Sequence, residues 1–170
     1  MVVRSVLLLV GGIGIGVVIG AGAAAPQAQG AQPNVRLNHV AISVPNITEA
    51  LQWYGTTMGF KEVIRNTNPA GELQSAYIQV SRDTFVELQQ SNPQRPVGLN
   101  HWGLEVADMA ATVATFRQRG ATVSDPADKP SAFSGGYLAN VTDPHGGGRI
   151  ELSFQPADSG KLRKATEAWK

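Results

Sequence analysis

The chain has 170 residues, 42% of them hydrophobic, a net charge of +1 and no cysteine. That is room for one ordinary domain or for two small units sharing a core, and it lacks the basic footprint of a nucleic-acid binder. Without thiolates there is neither a disulfide framework nor a Cys site, so any metal must be held by His and carboxylate.

Behind Arg4, residues 6–25 form an uncharged apolar run rich in glycine, and residues 26–35 have the Pro, Gly and Gln content of a flexible spacer. Residues 1–25 read as a secretory signal, with Ala21-Gly22-Ala23 as a small-x-small cleavage pattern, which makes the mature chain periplasmic or secreted. The alternative is an uncleaved anchor over residues 6–25, since about 20 apolar residues suffice to span a bilayer. Only in that case is a membrane a partner.

From Leu37 to Val44, Val40, Ile42 and Val44 alternate with His39, Ala41 and Ser43, the period of a half-buried strand. Asn46 is placed to cap a helix, with Glu49 three residues on, and Ile47, Leu51 and Tyr54 recur at helical spacing. Phe60 to Arg65, Gln74 to Val80 and Thr84 to Gln89 read as three strands; in the last, Phe85, Glu87 and Gln89 oppose Val86 and Leu88.

The second half repeats this order. Leu99-Asn100-His101 restates Leu37-Asn38-His39 at an offset of 62, and Ile150-Glu151-Leu152 restates Val86-Glu87-Leu88 at an offset of 64. Between them, Asp108 is the expected cap of a helix carrying Met109, Val113 and Phe116, and Ala121 to Ser124, Tyr137 to Val141 and Arg149 to Phe154 are the expected strands. The tail beyond residue 155 reads as a short basic helix without chemistry.

Each half is thus strand, helix, strand, strand, strand, an α+β arrangement whose first strand supplies a His and whose last supplies a Glu. Two carboxylates on one buried face repel each other and resist desolvation. One divalent metal ion (Zn, Ni, Fe, Mn or Co) held by His39, Glu87, His101 and Glu151 removes both costs. Such an ion polarises two neighbouring substrate oxygens and stabilises an enediolate while a carboxylate moves a proton between adjacent carbons; Glu151 is the first choice for that base and Glu87 the second. Phe85 and Tyr77 either line the substrate pocket or pack, and Ser43 and His145, the latter in the turn Asp143-Pro144-His145-Gly146-Gly147-Gly148, are further pocket candidates.

These motifs, with Trp53-Tyr54, Met58-Gly59-Phe60 and Asp143-Pro144, resemble the vicinal oxygen chelate superfamily of glyoxalase I, extradiol dioxygenases, methylmalonyl-CoA epimerase and bleomycin resistance proteins. The resemblance covers residues 36–155. It implies tandem βαβββ modules, residues 36–92 and 98–155, curling into an open, cup-shaped mixed β-barrel with the helices outside and the metal within. By position it implies the ligands His39, Glu87, His101 and Glu151, and Glu at 87 is similar to glyoxalase I, a lyase or isomerase. Where glyoxalase I has an Arg and an Asn for glutathione, this chain has Ser43 and Ser91, so glutathione use is not carried over. Two other activities stay open: an extradiol dioxygenase using His39, His101 and Glu151 for Fe(II), and a resistance-type protein that binds a small molecule without catalysis. A homodimer is expected where the modules of one chain cannot face each other.

Overall fold

A computed structural model describes residues 33–170; the signal or anchor and most of the spacer lie outside the described residues. The elements run β1 (Val35–Val44), α1 (Ile47–Thr57), β2 (Lys61–Thr67), β3 (Leu73–Ser81), β4 (Thr84–Gln90), β5 (Gly98–Val106), α2 (Met109–Gln118), β6 (Tyr137–Thr142), β7 (Arg149–Phe154) and α3 (Lys161–Glu167). The strands form one open mixed sheet of seven, in the order β2-β3-β4-β1-β5-β7-β6.

The duplication is written into the pairing. β1 runs parallel to β4, and β5 runs parallel to β7, while β1 and β5 join the two halves as an antiparallel pair. Parallel neighbours require a crossover, and α1 and α2 begin those crossovers at the caps expected of them. Asn46 accepts from the Thr48 and Glu49 amides at 3.1 and 3.2 Å and its own amide reaches Glu49 Oε1, while Asp108 accepts from the Ala111 amide at 2.9 Å. Both helices cover one face of the sheet. Ile47, Ala76, Ile78 and Leu88 pack beneath α1, and Val106, Met109, Val113, Ala139 and Leu152 beneath α2.

Two expectations are corrected. The strand expected at Ala121–Ser124 is reduced to a single bridge, Val123 to Val141. Its backbone still follows β6, with Ser124 N–H on Asn140 O and Ala127 N–H on Leu138 O, but Pro126 between them has no amide to offer and the ladder stops. Nor are all helices on the outer face. α3 lies on the face of Tyr77 and Phe85, where Leu162, 1% exposed, joins them and Ile64 in an apolar cluster. The tail therefore plugs the first module's end of the inner face, and Gln79 fixes it by donating to Ala165 O.

Candidate metal centre

The inner face is built from the two halves in register. On one row His39 pairs with Phe85 and Gly103, and Gly103 with Glu151; on the next, Ala41 pairs with Glu87 and His101. All four candidate ligands are buried, and the two imidazoles meet tip to tip, His39 Nε2 lying 3.1 Å from His101 Nε2. Glu151 Oε1 stands 3.6 Å from His39 Nε2 and Oε2 3.7 Å from His101 Nε2. Glu87 Oε2 stands 3.9 and 3.5 Å from the same two nitrogens. One donor atom each from His39, His101 and Glu151 fits within 4.8 Å of the others.

The spacings among His39, His101 and Glu151 suit a cation, and Glu87, close to the two imidazoles, falls outside that mutually compact group. Metal bonds of about 2.1 Å place neighbouring donors about 3 Å apart at right angles and about 3.4 Å apart at tetrahedral angles. All four residues come from one chain, so no partner subunit has to complete the cluster.

Tandem bulges explain how His and its preceding Asn both face inward. Against β5, Leu37 pairs with Leu104 and His39 with Gly103, which leaves Asn38 as an extra residue; against β1, His101 and Leu99 pair with Ala41 and Ile42, which leaves Asn100 extra. Asn38 is fully buried, and its Oδ1 stands 3.0 Å from His39 Nδ1; Asn100 Oδ1 stands 2.7 Å from His101 Nδ1. A carbonyl beside Nδ1 accepts its proton in the tautomer that turns a bare Nε2 toward a metal, the usual support for a His ligand. Strict alternation would have put each Asn on the opposite face from its His. The repeated Asn was the signal that it does not.

Gly103 makes room for this. A Cβ there would collide with the His39 imidazole, whereas Ala41, its counterpart in the first module, is accommodated. The close approach of ring and backbone is a demand only glycine meets.

The carboxylates are not equivalent. Glu87 receives the Tyr77 hydroxyl on Oε2 at 3.0 Å and the Gln89 amide on Oε1 at 2.6 Å, so both its oxygens are engaged by neutral donors. Glu151 is met by Arg149 Nη1 at 3.3 Å. Burial, then the charge of Glu87, pushes the Glu151 carboxyl up to about 7, and burial also raises Glu87. Burial pushes His39 down to about 4 and His101 to about 3, with Arg149 adding to both, so the imidazoles are neutral at neutral pH and available as ligands. Burial, reinforced by the Glu87 charge, raises Tyr77 well above the usual phenol range and keeps it a donor.

A model of the Glyoxalase/Bleomycin resistance protein/Dioxygenase superfamily matches residues 38–138, more than half of the chain. The chain belongs to this superfamily. Among solved structures of the same fold are a hypothetical protein from Bacillus halodurans, 19% identical with a TM-score of 0.59 over 72% of this chain and 96% of that one. Methylmalonyl-CoA epimerase from Mycobacterium tuberculosis is 20% identical with a TM-score of 0.59 over 72% and 89%. A further methylmalonyl-CoA epimerase is 25% identical with a TM-score of 0.55 over 71% and 94%. No curated protein matches the chain in sequence.

Within this superfamily scaffold the remaining candidates fall in different places. Tyr77 touches the cluster through Glu87 and lies edge-on to His39, with ring centroids 5.4 Å apart. Phe85 is fully buried in the apolar cluster under α3. Ser43 is buried with its Oγ unpartnered, as is Gln89 Oε1 on the neighbouring strand. His145 is exposed on the β6–β7 turn, where its amide donates to Asp143 Oδ1 at 2.8 Å. The sequence reading gave no role to Asn38, Asn100, Gly103, Gln89 or Arg149.

Proposed function

We propose that the chain is a divalent-metal-dependent enzyme, a lyase or isomerase similar to glyoxalase I in its chemistry, that moves a proton between adjacent carbons of a small substrate with vicinal oxygens. The observation that carries this is the tip-to-tip approach of His39 and His101 at 3.1 Å, with a carboxylate oxygen of Glu87 and of Glu151 within 3.9 Å of them. Two neutral imidazoles and two carboxylates form a mixed nitrogen and oxygen donor set, and a divalent cation bound there supplies a Lewis acid for two neighbouring oxygens.

His39, His101, Glu87 and Glu151 would hold the ion, and the proton is assigned to Glu151. Arg149 holds Glu151 less completely than Tyr77 and Gln89 hold Glu87, so Glu151 is the carboxylate freer to detach and take a proton. Glu87, engaged at both oxygens, keeps its position. Removal and return of a proton at one carbon is also the work an epimerase does, and two of the solved structures of this fold are methylmalonyl-CoA epimerases. Glutathione is not assigned as the carrier, because the strand position expected for an arginine holds buried Ser43.

A ring-cleaving dioxygenase is the second reading, favoured by the compact group His39, His101 and Glu151, the facial triad of non-haem iron. Two assays on the metal-loaded chain separate the readings. Isomerisation of hemithioacetals, or exchange of a substrate's α-proton with deuterated solvent, is expected without dioxygen consumption. Catechol-dependent oxygen uptake in the absence of proton exchange would replace the proposal with the dioxygenase. Stoichiometric metal with neither reaction would leave a binding protein.

A further inference from the structure

The hydrogen bonds around the two imidazoles can be followed proton by proton, and they end on a residue outside the donor set. Asn38 Nδ2 donates to Glu105 Oε2 at 3.1 Å, which turns Asn38 Oδ1 toward His39 Nδ1 and places the His39 proton there. His39 Nε2 is then bare. Its neighbour at 3.1 Å, His101 Nε2, must carry the proton between them, which leaves His101 Nδ1 bare. Arg149 Nη2 lies 2.6 Å from that nitrogen, and a guanidinium only donates. In this tautomer the bonds run Arg149 to His101, His101 to His39, His39 to Asn38 and Asn38 to Glu105, and a second tautomer competes with it at His101, whose Nδ1, when protonated, donates to Asn100 Oδ1 at 2.7 Å instead of accepting from Arg149.

A metal in the centre reverses the last part of this chain. His101 Nε2 must present its lone pair, so the proton of the neutral ring moves to Nδ1, where Asn100 Oδ1 waits at 2.7 Å. A nitrogen that carries a proton cannot accept one from Arg149. The guanidinium has to leave His101, while Asn140 Oδ1 at 2.9 Å and Glu151 Oε2 at 3.3 Å still hold it at the rim. Its side chain is 40% exposed, which places Arg149 at the solvent boundary of the centre. The residue 64 positions earlier is Phe85, buried and apolar, so the first module has no arginine at the corresponding position.

We propose that Arg149 is a metal-released clamp for the substrate: metal loading frees its guanidinium from His101 to bind a negative charge that a chelated vicinal-oxygen substrate presents beyond its two metal-facing oxygens. The substrate class this selects is anionic, such as a 2-oxo or 2-hydroxy carboxylate, bound with the charge toward the Glu151 side. Arg149 is a specificity residue in this account, and the proposal rests on the metal reading above.

The test uses the chain with and without zinc. Imidazole nitrogen NMR is expected to find a bare His101 Nδ1 in the metal-free chain and a protonated Nδ1 after one equivalent of zinc. Calorimetry on the zinc-loaded chain then compares oxalate, a chelator with charge on its outer oxygens, with acetohydroxamate, a chelator that ends in a methyl group. Arg149→Met is expected to weaken oxalate at least tenfold and to change acetohydroxamate by less than about twofold, and Arg149→Lys to recover part of the oxalate loss. The retained acetohydroxamate binding certifies that the variant still builds its centre. An Nδ1 that does not change with zinc, or equal losses for both chelators, overturns the clamp while leaving the metal centre standing. No zinc uptake by the unmutated chain overturns both.

Discussion

Glu151→Gln is expected to lower the rate of α-proton exchange by roughly 10²- to 10⁴-fold, the usual worth of a positioned base. The amide keeps the size of the carboxyl and its place in the β7 ladder opposite Asn140, so the fold has no reason to change. It cannot take a proton. Circular dichroism, melting temperature and bound zinc, measured beside the rate, separate loss of the base from loss of the fold or of the ion, and an unchanged rate would transfer the base to Glu87. The same variant tests the electrostatics. In the metal-free chain Glu151 holds a proton below about pH 7, because burial and Glu87 raise its carboxyl above the usual range. A metal must displace that proton. Zinc affinity of the unmutated chain should therefore fall about tenfold for each pH unit below 7, in the direction of weaker binding with acid, and level off above it with respect to this group. The imidazoles add nothing to that slope near neutrality, being neutral until about pH 4 and 3. Glu151→Gln should remove the step near pH 7.

Gly103→Ala is the second large effect. One methyl group would occupy the space of the His39 ring, which is enclosed by Tyr77, His101 and the backbone of β5. Either the ring turns away, and its Nε2 leaves the centre, or β5 moves and carries His101 with it. Overpacking of this kind costs about 1–3 kcal/mol, read as a lower melting temperature, and zinc affinity should fall at least tenfold with it. Ala41→Gly, at the equivalent place in the first module, should leave zinc affinity nearly unchanged, because it removes a methyl group and displaces nothing. Equal effects at the two positions would mean that the space above Gly103 is not reserved for His39.

The sequence carried more of this site than of the scaffold around it. The period of β1 and β5, the matching period of β4 and β7, and the two offsets of 62 and 64 were enough to bring His39, His101, Glu87 and Glu151 to one face, because side-chain direction along a strand is set by parity. What parity cannot convey is a bulge. Asn38 and Asn100 break it by one residue each, and whether a strand carries an extra residue depends on its partner's register, which a single sequence does not state. The segment at Ala121–Ser124 had the residues of a strand but met Pro126 before its ladder could continue. Leu162 and Ala165 gave α3 an apolar stripe without saying which face of the sheet lacked cover; the answer lay with Tyr77 and Phe85, about eighty residues earlier. Arg149 was legible as the first residue of β7, but its part came from a hydrogen-bond chain that begins at Glu105.

The most direct measurement is the metal content of the purified chain. Elemental analysis after dialysis at pH 8 should find one divalent ion per chain, retained by Ser43→Ala and lost from His101→Ala while that variant still melts cooperatively. A folded, unmutated chain that holds no ion, and takes none up from excess zinc, manganese, nickel, cobalt or ferrous iron, would contradict the account at its centre.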